Sequence, residues 1–209
     1  PKKTRLREIR LATYNINWGN ARLDAVLDAI RASDADVVCL QETNPKSASV
    51  LRNEFSDEYS SIRFYGSLER YAAAGFGLLS RIPIKSETFL PAEDGLFGTC
   101  VIDLQNGDQT IRLVNVHLQP FDFRSQKGNV NFWSVLGGLQ AAEVIHRKEI
   151  NRIMPHVPKD VASLVVGDFN SCATFQAPAL LTNSGFVDSF AALNENPESH
   201  PTWHWPTKY

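Results

Sequence analysis

The sequence predicts an α/β fold that mixes parallel and antiparallel strands, and three features carry that prediction. Strand-like and helix-like segments alternate along the chain. An Asn106-Gly107 pair joins two β-rich segments as a tight hairpin, which a purely parallel wound sheet lacks. Several strands are short, continuous apolar runs, the pattern of strands covered on both faces.

In chain order, residues 9–15 (IRLATYN) are rich in β-formers and predict the first strand. Over 20–33, Leu23, Val26, Leu27 and Ile30 recur at three- and four-residue spacing, which predicts an amphipathic helix. Residues 37–40 (VVCL) predict a buried strand and 47–55 a second helix. Strands follow at 75–80 (GFGLLS) and 99–104, and 110–118 (TIRLVNVHL) returns from the Asn106-Gly107 turn. A long loop, 119–131, leads to a helix over 133–154 with Val135, Leu136, Leu139, Ala142, Ile150 and Ile153 on one side. Residues 161–166 predict another buried strand, 177–183 a short helix stopped by a left-handed Gly185, and 186–190 one more strand.

Composition sets the outer bounds. With 43% hydrophobic and 10% aromatic residues, the 209-residue chain is expected to build one core and one domain over 1–209. Its 12 Phe, 5 Tyr and 4 Trp exclude a solvated coil. No apolar run approaches the ~18 residues of a membrane span. Cys39, Cys100 and Cys172 are odd in number, widely spaced and free of CxxC pairing, which argues against a disulfide framework or thiolate zinc site. The net charge is −2, but residues 1–10 carry a local +4 and the remainder therefore −6. Such a body argues against tight non-specific nucleic-acid binding, and the basic start reads as a solvated tail before a binding arm.

The chemistry gathers at strand ends. Four predicted strands finish in polar groups: Asn15 after Thr13-Tyr14, Glu42 after Leu40-Gln41, His117 after Asn115-Val116, and Asp168 with Asn170 after Gly167. Strands that repeatedly deliver Asn, Glu, His and Asp place those groups around one rim, where ligand sites of α/β proteins lie. Two carboxylates with amide oxygens suit Mg²⁺ or Mn²⁺, hard ions that keep much of their hydration. One histidine and two asparagines supply donors for an oxyanion. That set matches phosphate-ester hydrolysis better than acyl transfer, for which no Gly-x-Ser-x-Gly elbow exists. Singly, each residue has a blander reading: Asn15 ends a strand, Glu42 caps a turn, His117 is a core histidine, and Asp168 with Asn170 forms an Asx-turn. Their joint occurrence in this order is what those separate readings explain poorly.

With these residues assembled, the sequence resembles the endonuclease/exonuclease/phosphatase superfamily, which includes deoxyribonuclease I and neutral sphingomyelinases. The matching segments are LATYNIN (11–17), DVVCLQE (36–42), GFGLLSRIPI (75–84), VNVHL (114–118) and VVGDFNS (165–171), in the family's order. The resemblance implies a four-layer α/β/β/α sandwich, two packed mixed β-sheets flanked by helices, with a divalent-metal site at one rim. It implies Glu42 as principal metal ligand, Asn15 near the metal and the scissile phosphate, and Asp168 at the metal and the attacking water. Asn170 and His117 would donate to the phosphate oxygens. The family also finishes with an Arg-Ile-Asp-Tyr-type strand and a Ser-Asp-His motif that supplies a base. Neither occurs within 1–209, so the domain is expected to be incomplete at its C-terminus, with its last strands missing.

The expected activity is thus a Mg²⁺-dependent phosphoester hydrolase, more a phosphodiesterase than a phosphomonoesterase. Its expected partner is a phosphate ester, whether nucleic acid, lipid headgroup or small molecule, and the chain is expected to act as a monomer. The alternative is an inactive binding module that kept the fold. The sequence leaves the compartment open, cytoplasmic or exported behind a removed signal. Four further features stand out. Residues 119–138 combine Phe121, Phe123, Phe132 and Trp133 with Arg124 and Lys127, read as a long loop pinned by its own aromatics before a lid that stacks on bases or lipid. His200 and His204 stand four apart, but Pro201 and Pro206 make a helical metal pair improbable. His146 falls on the apolar stripe of its helix as a core or interface histidine, and Glu69-Arg70-Tyr71 precedes a strand where some relatives place phosphate-contacting or catalytic groups.

Overall fold

The computed structural model describes residues 8–66, 71–121, 132–196, 199 and 202. Eight strands form two four-stranded sheets. The first has the order β1-β2-β4-β3, from β1 (Leu11–Asn15), β2 (Val37–Thr43), β4 (Gly75–Ser80) and β3 (Ser61–Tyr65). The second runs β5-β6-β7-β8, from β5 (Ile84–Leu90), β6 (Thr99–Asn106), β7 (Gln109–His117) and β8 (Ala162–Asp168). Each sheet has one parallel pair, β1 with β2 and β7 with β8, and is otherwise antiparallel.

Strand alternation explains the layering. Successive side chains of β2 point to opposite faces. Val37 and Cys39 turn into the space between the sheets, against Phe76, Leu78, Cys100, Ile102 and Leu113. Val38 and Leu40 turn outward to meet Val26 and Ile30 of α1 (Leu23–Ser33) and Leu51 and Phe55 of α2 (Pro45–Phe55). On the other side, Val114 and Val116 of β7 meet Ile150 and Ile153 of α3 (Phe132–Ile153) and Leu181 of α4 (Gln176–Asn183). The result is the expected α/β/β/α sandwich. Each fully buried Leu, Ile or Phe of these three clusters contributes about 1.5–3 kcal/mol relative to an exposed one. Among the described residues, no helix is long and apolar enough to cross a membrane.

The connections follow local rules. The β6–β7 hairpin turns at Gly107, whose φ of +62° suits a residue without a Cβ. The Asn44 side chain accepts from the N–H of Ser47 while the Ser47 hydroxyl accepts from the N–H of Asn44, a capping box that starts α2 with Pro45 in its first turn. Gly185, at φ +97°, ends α4 as its position predicts.

Three features differ from the sequence reading. Residues 186–190 do not form a strand: Asp188 accepts from the N–H groups of Phe190 and Ala191 and starts a short helix, α5 (Ser189–Leu193). Two strands were not visible. β5 is a sheet edge whose middle residues are exposed, and β3 carries an exposed arginine mid-strand, so neither shows the apolar run used to find the others.

Candidate active site

Topology brings the strand ends together. Parallel pairing places Asn15 of β1 beside Gln41 of β2, and His117 of β7 beside Asp168 of β8. Packing of the two sheets then puts both pairs on one rim. The Asn15 Nδ2 donates to Glu42 Oε1 at 2.9 Å and to Asp168 Oδ2 at 2.8 Å. One neutral amide therefore spans carboxylates from different sheets.

Glu42 reaches the rim through a bulge. Gln41 pairs with Phe76 and Thr43 with Gly75, leaving Glu42 unpaired in the ladder with φ +60°. Its Oε2 accepts from the N–H of Trp18 at 3.1 Å, and the carbonyl of Trp18 accepts from the Asn44 cap. Just beneath, buried Gln41 donates to Asn115 Oδ1 at 2.7 Å, and Asn115 donates to the Leu40 carbonyl, a polar link across the inter-sheet core. At the end of β8, Gly167 has φ +131°, and a Cβ there would lie 2.0 Å from the Val116 carbonyl oxygen. Only glycine lets β8 come close enough to β7 to deliver Asp168 beside His117.

His117 is 2% exposed, its ring stacked on Phe97 at 3.8 Å and 8°. Its Nε2 lies 3.8 Å from Glu42 Oε1 and 3.9 Å from Asp168 Oδ2, near both carboxylates yet beyond hydrogen-bond reach. Burial holds its pKa below the ordinary histidine value, although Asp168, Glu42 and the backbone of Ala73 pull the other way. A neutral imidazole with one N–H donor follows at pH 7. Asn170, at φ +44°, takes Asp168 Oδ1 with its backbone N–H at 2.9 Å and donates from its side chain to the Leu118 carbonyl at 3.0 Å. It locks the loop after β8 to the residue after His117, and its side-chain nitrogen keeps a second N–H.

The structure thus brings Asn15, Glu42, His117, Asp168 and Asn170 to one place. The contributions of Trp18, Phe97 and the Gln41–Asn115 link were not singled out from sequence. Phe121 packs on His146 and Phe175, as the pinned-loop reading expects, whereas Phe132 and Trp133 are 72% and 76% exposed. Residues 122–131, Glu69, Arg70, His200 and His204 lie outside the described residues. His146 is fully buried, as its place on the apolar stripe predicts.

A cation fits the donor set. Among the described residues, neither Glu42 nor Asp168 is paired with Lys or Arg, so two carboxylates converge with only a neutral amide between them. Among those residues no group of three or more His, Cys, Asp or Glu is placed to hold a metal ion. Two carboxylates beside open solvent suit Mg²⁺, which needs one or two plus water and substrate phosphate, better than zinc.

A family model for the endonuclease/exonuclease/phosphatase family matches residues 12–209. The chain belongs to that family. Its members are phosphoester hydrolases. Among solved structures of this fold, sphingomyelinase C from Streptomyces griseocarneus aligns at a TM-score of 0.59 and 17% identity, over 84% of this chain and 68% of that one. A humanized D. rerio TDP2 aligns at 0.57 and 17% over 85% and 66%. A variant of beta toxin from Staphylococcus aureus with bound magnesium ions aligns at 0.61 and 18% over 87% and 72%. The chain spans about two thirds of these endonuclease/exonuclease/phosphatase-fold structures. No curated protein sequence matches it.

Proposed function

We propose that this protein hydrolyses phosphodiesters with the aid of Mg²⁺. The observation that carries the reading is the convergence of Glu42 and Asp168, from separate sheets, on the Asn15 amide without a neutralising Lys or Arg among the described residues. Magnesium in the beta toxin structure and the sphingomyelinase among the similar folds support it by analogy. Glu42 and Asp168, with Asn15 beside them, would hold the ion, and when bound it supplies Lewis-acid polarisation of a phosphoryl oxygen and stabilises the leaving oxygen.

The chain's own residues do the rest. His117, neutral and fixed by Phe97, donates an N–H to a non-bridging phosphoryl oxygen as its charge grows. The free N–H of Asn170 is a second donor. Asp168 accepts a proton from, or orients, a water in line with the leaving group, its carboxylate held by the Asn170 N–H and by Asn15. Unaided phosphate-ester hydrolysis is so slow that enzymes accelerate it by up to ~10²¹-fold, so these groups act together.

The test is turnover of a chromogenic phosphodiester in Mg²⁺ against EDTA. Wild type is expected to be active only with the metal, and Glu42→Gln inactive in both. Wild-type-like turnover in E42Q removes the metal assignment.

A further inference from the structure

Two residues beyond His117, Gln119 is held at three points. Its N–H donates to Glu149 Oε2 at 3.2 Å, its carbonyl accepts from His146 Nε2 at 2.6 Å, and its side-chain Oε1 accepts from the Leu96 N–H at 3.1 Å. Leu96 immediately precedes Phe97, the ring stacked on His117. Gln119 therefore ties both the backbone that carries His117 and the loop whose aromatic ring flanks it. His146 must carry its proton on Nε2 to make this bond, because a carbonyl only accepts.

Glu149 is the carboxyl member of the clamp. Burial pushes its carboxyl up to about 7, against the pull of the Gln119 N–H. Its Oε1 lies over Gly95, where an added Cβ would sit 2.0 Å away. His117, Phe97, Gly95 and Glu149 line one small cavity, and His117 Nδ1 makes no hydrogen bond among the described residues. Two neighbouring carboxylates are paired elsewhere, Asp94 with Lys148 and Glu93 with Arg152, while Glu143 Oε1 and His146 Nδ1 stand 3.5 Å apart without a hydrogen bond. A half-buried carboxylate that serves only to pack a helix against a sheet needs none of these links to the site.

We propose that Glu149 is a positioning residue for His117: through Gln119 and the Leu96–Phe97 loop it fixes the imidazole against Glu42 and Asp168. Its kinetic consequence rests on the phosphoester-hydrolase reading, but its structural consequence does not. With the Gln119 N–H unclamped, the segment after β7 and the Phe97 loop loosen together and His117 no longer holds its donor on the phosphoryl oxygen. The defect then falls on the transition state rather than on substrate binding.

The test uses Glu149→Ala, Glu149→Gln and Gly95→Ala in the full chain, with two readouts. The first is the proton NMR shift of the His117 ring, moved upfield by the stacked Phe97 ring and hence a gauge of that stack. The second is kcat and KM on the chromogenic phosphodiester. E149A is expected to move the His117 resonances downfield and to lower kcat about 10- to 100-fold at nearly constant KM, the range that small misplacement of a reacting group produces. E149Q keeps a carbonyl acceptor for Gln119 and is expected to restore both readouts. G95A, which displaces the Glu149 carboxyl from outside α3, should move both in the E149A direction and serves if E149A does not fold. If E149A lowers Tm but leaves the His117 resonances in place, or if E149Q fails to restore them, the proposal is overturned. Should wild type hydrolyse no phosphodiester while the resonances still move with E149A and return with E149Q, the positioning role stands and the hydrolase reading falls.

Discussion

Asn15 and Asp168, 153 residues apart in sequence and on different sheets, meet in a 2.8 Å hydrogen bond, and the same Asn15 nitrogen reaches Glu42 at 2.9 Å. The amide is a spacer that two carboxylates can share because it donates and carries no charge. Asn15→Asp has nearly the same shape and reverses the electrostatics. At an effective dielectric near 20, two unit charges about 4 Å apart repel by about 4 kcal/mol, so the new carboxyl holds a proton well above the usual carboxylate range. A carboxyl raised in the folded state stabilises below its unfolded pKa and loses that benefit as pH rises. N15D in EDTA is therefore expected to lose more Tm relative to wild type at pH 8 than at pH 5, measured by thermal melts at both. An equal loss at both pH values would place the defect in packing instead of charge.

Magnesium should stabilise the folded chain without any substrate present. An ion that binds only the native state contributes about 2.7 kcal/mol at a concentration of 100 Kd. For a chain of this size that is a Tm rise of roughly 5–10 °C. Glu42→Gln and Asp168→Asn each remove one of the two carboxylates and should lose most of the rise, whereas Asp103→Asn, on the far reach of β6 and β7, should keep it. A wild-type melt indifferent to Mg²⁺ but normal in shape would remove the cation from this rim.

The difference between what was legible in the sequence and what was not lies in contact range. Glu42, His117 and Asp168 each follow an apolar strand, so a local pattern marks them, and strand polarity together with the packing of the two sheets brings them to one rim. The α1 and α2 stripes and the Gly107 and Gly185 turns are likewise local. β5 has no apolar signature because it is an edge strand with exposed middle residues, and at 186–190 the β-like Phe186-Val187 pair runs straight into the Asp188 cap of α5. The Glu149 clamp joins residues 30 apart through a backbone N–H. A main-chain donor has no side-chain identity to read, so only the fold reveals that contact.

Gly167 is a point where the fold and the site depend on one atom. A Cβ at this residue meets the Val116 carbonyl at 2.0 Å, and φ of +131° is strained for any L side chain. Gly167→Ala is expected to destabilise the protein by about 1–3 kcal/mol through backbone strain alone, and more if the β7–β8 pairing opens. Urea unfolding measures the loss. Activity should fall further than stability predicts, because the same displacement carries Asp168 away from His117. A G167A variant with wild-type stability and turnover would mean that β8 tolerates a shift from β7 that this register denies it.

Glu149 should also leave a signature on stability against pH. Its carboxyl stands at about 7 in the folded state against an ordinary value of 4.5. Between those two values the folded chain binds more protons at this position than the unfolded chain does, so its stabilising influence is complete below about 4.5 and is lost as pH rises through about 7. A shift of that size amounts to a change on the order of 3 kcal/mol across the window. Glu149→Gln keeps the acceptor for Gln119 and removes the titration. The difference in unfolding free energy between E149Q and wild type should therefore be small near pH 4.5 and should grow in favour of E149Q up to pH 8, as read by urea unfolding at intervals across that range. A difference that stays flat with pH would mean that the Glu149 carboxyl is solvated well enough in the folded protein to keep its ordinary acidity.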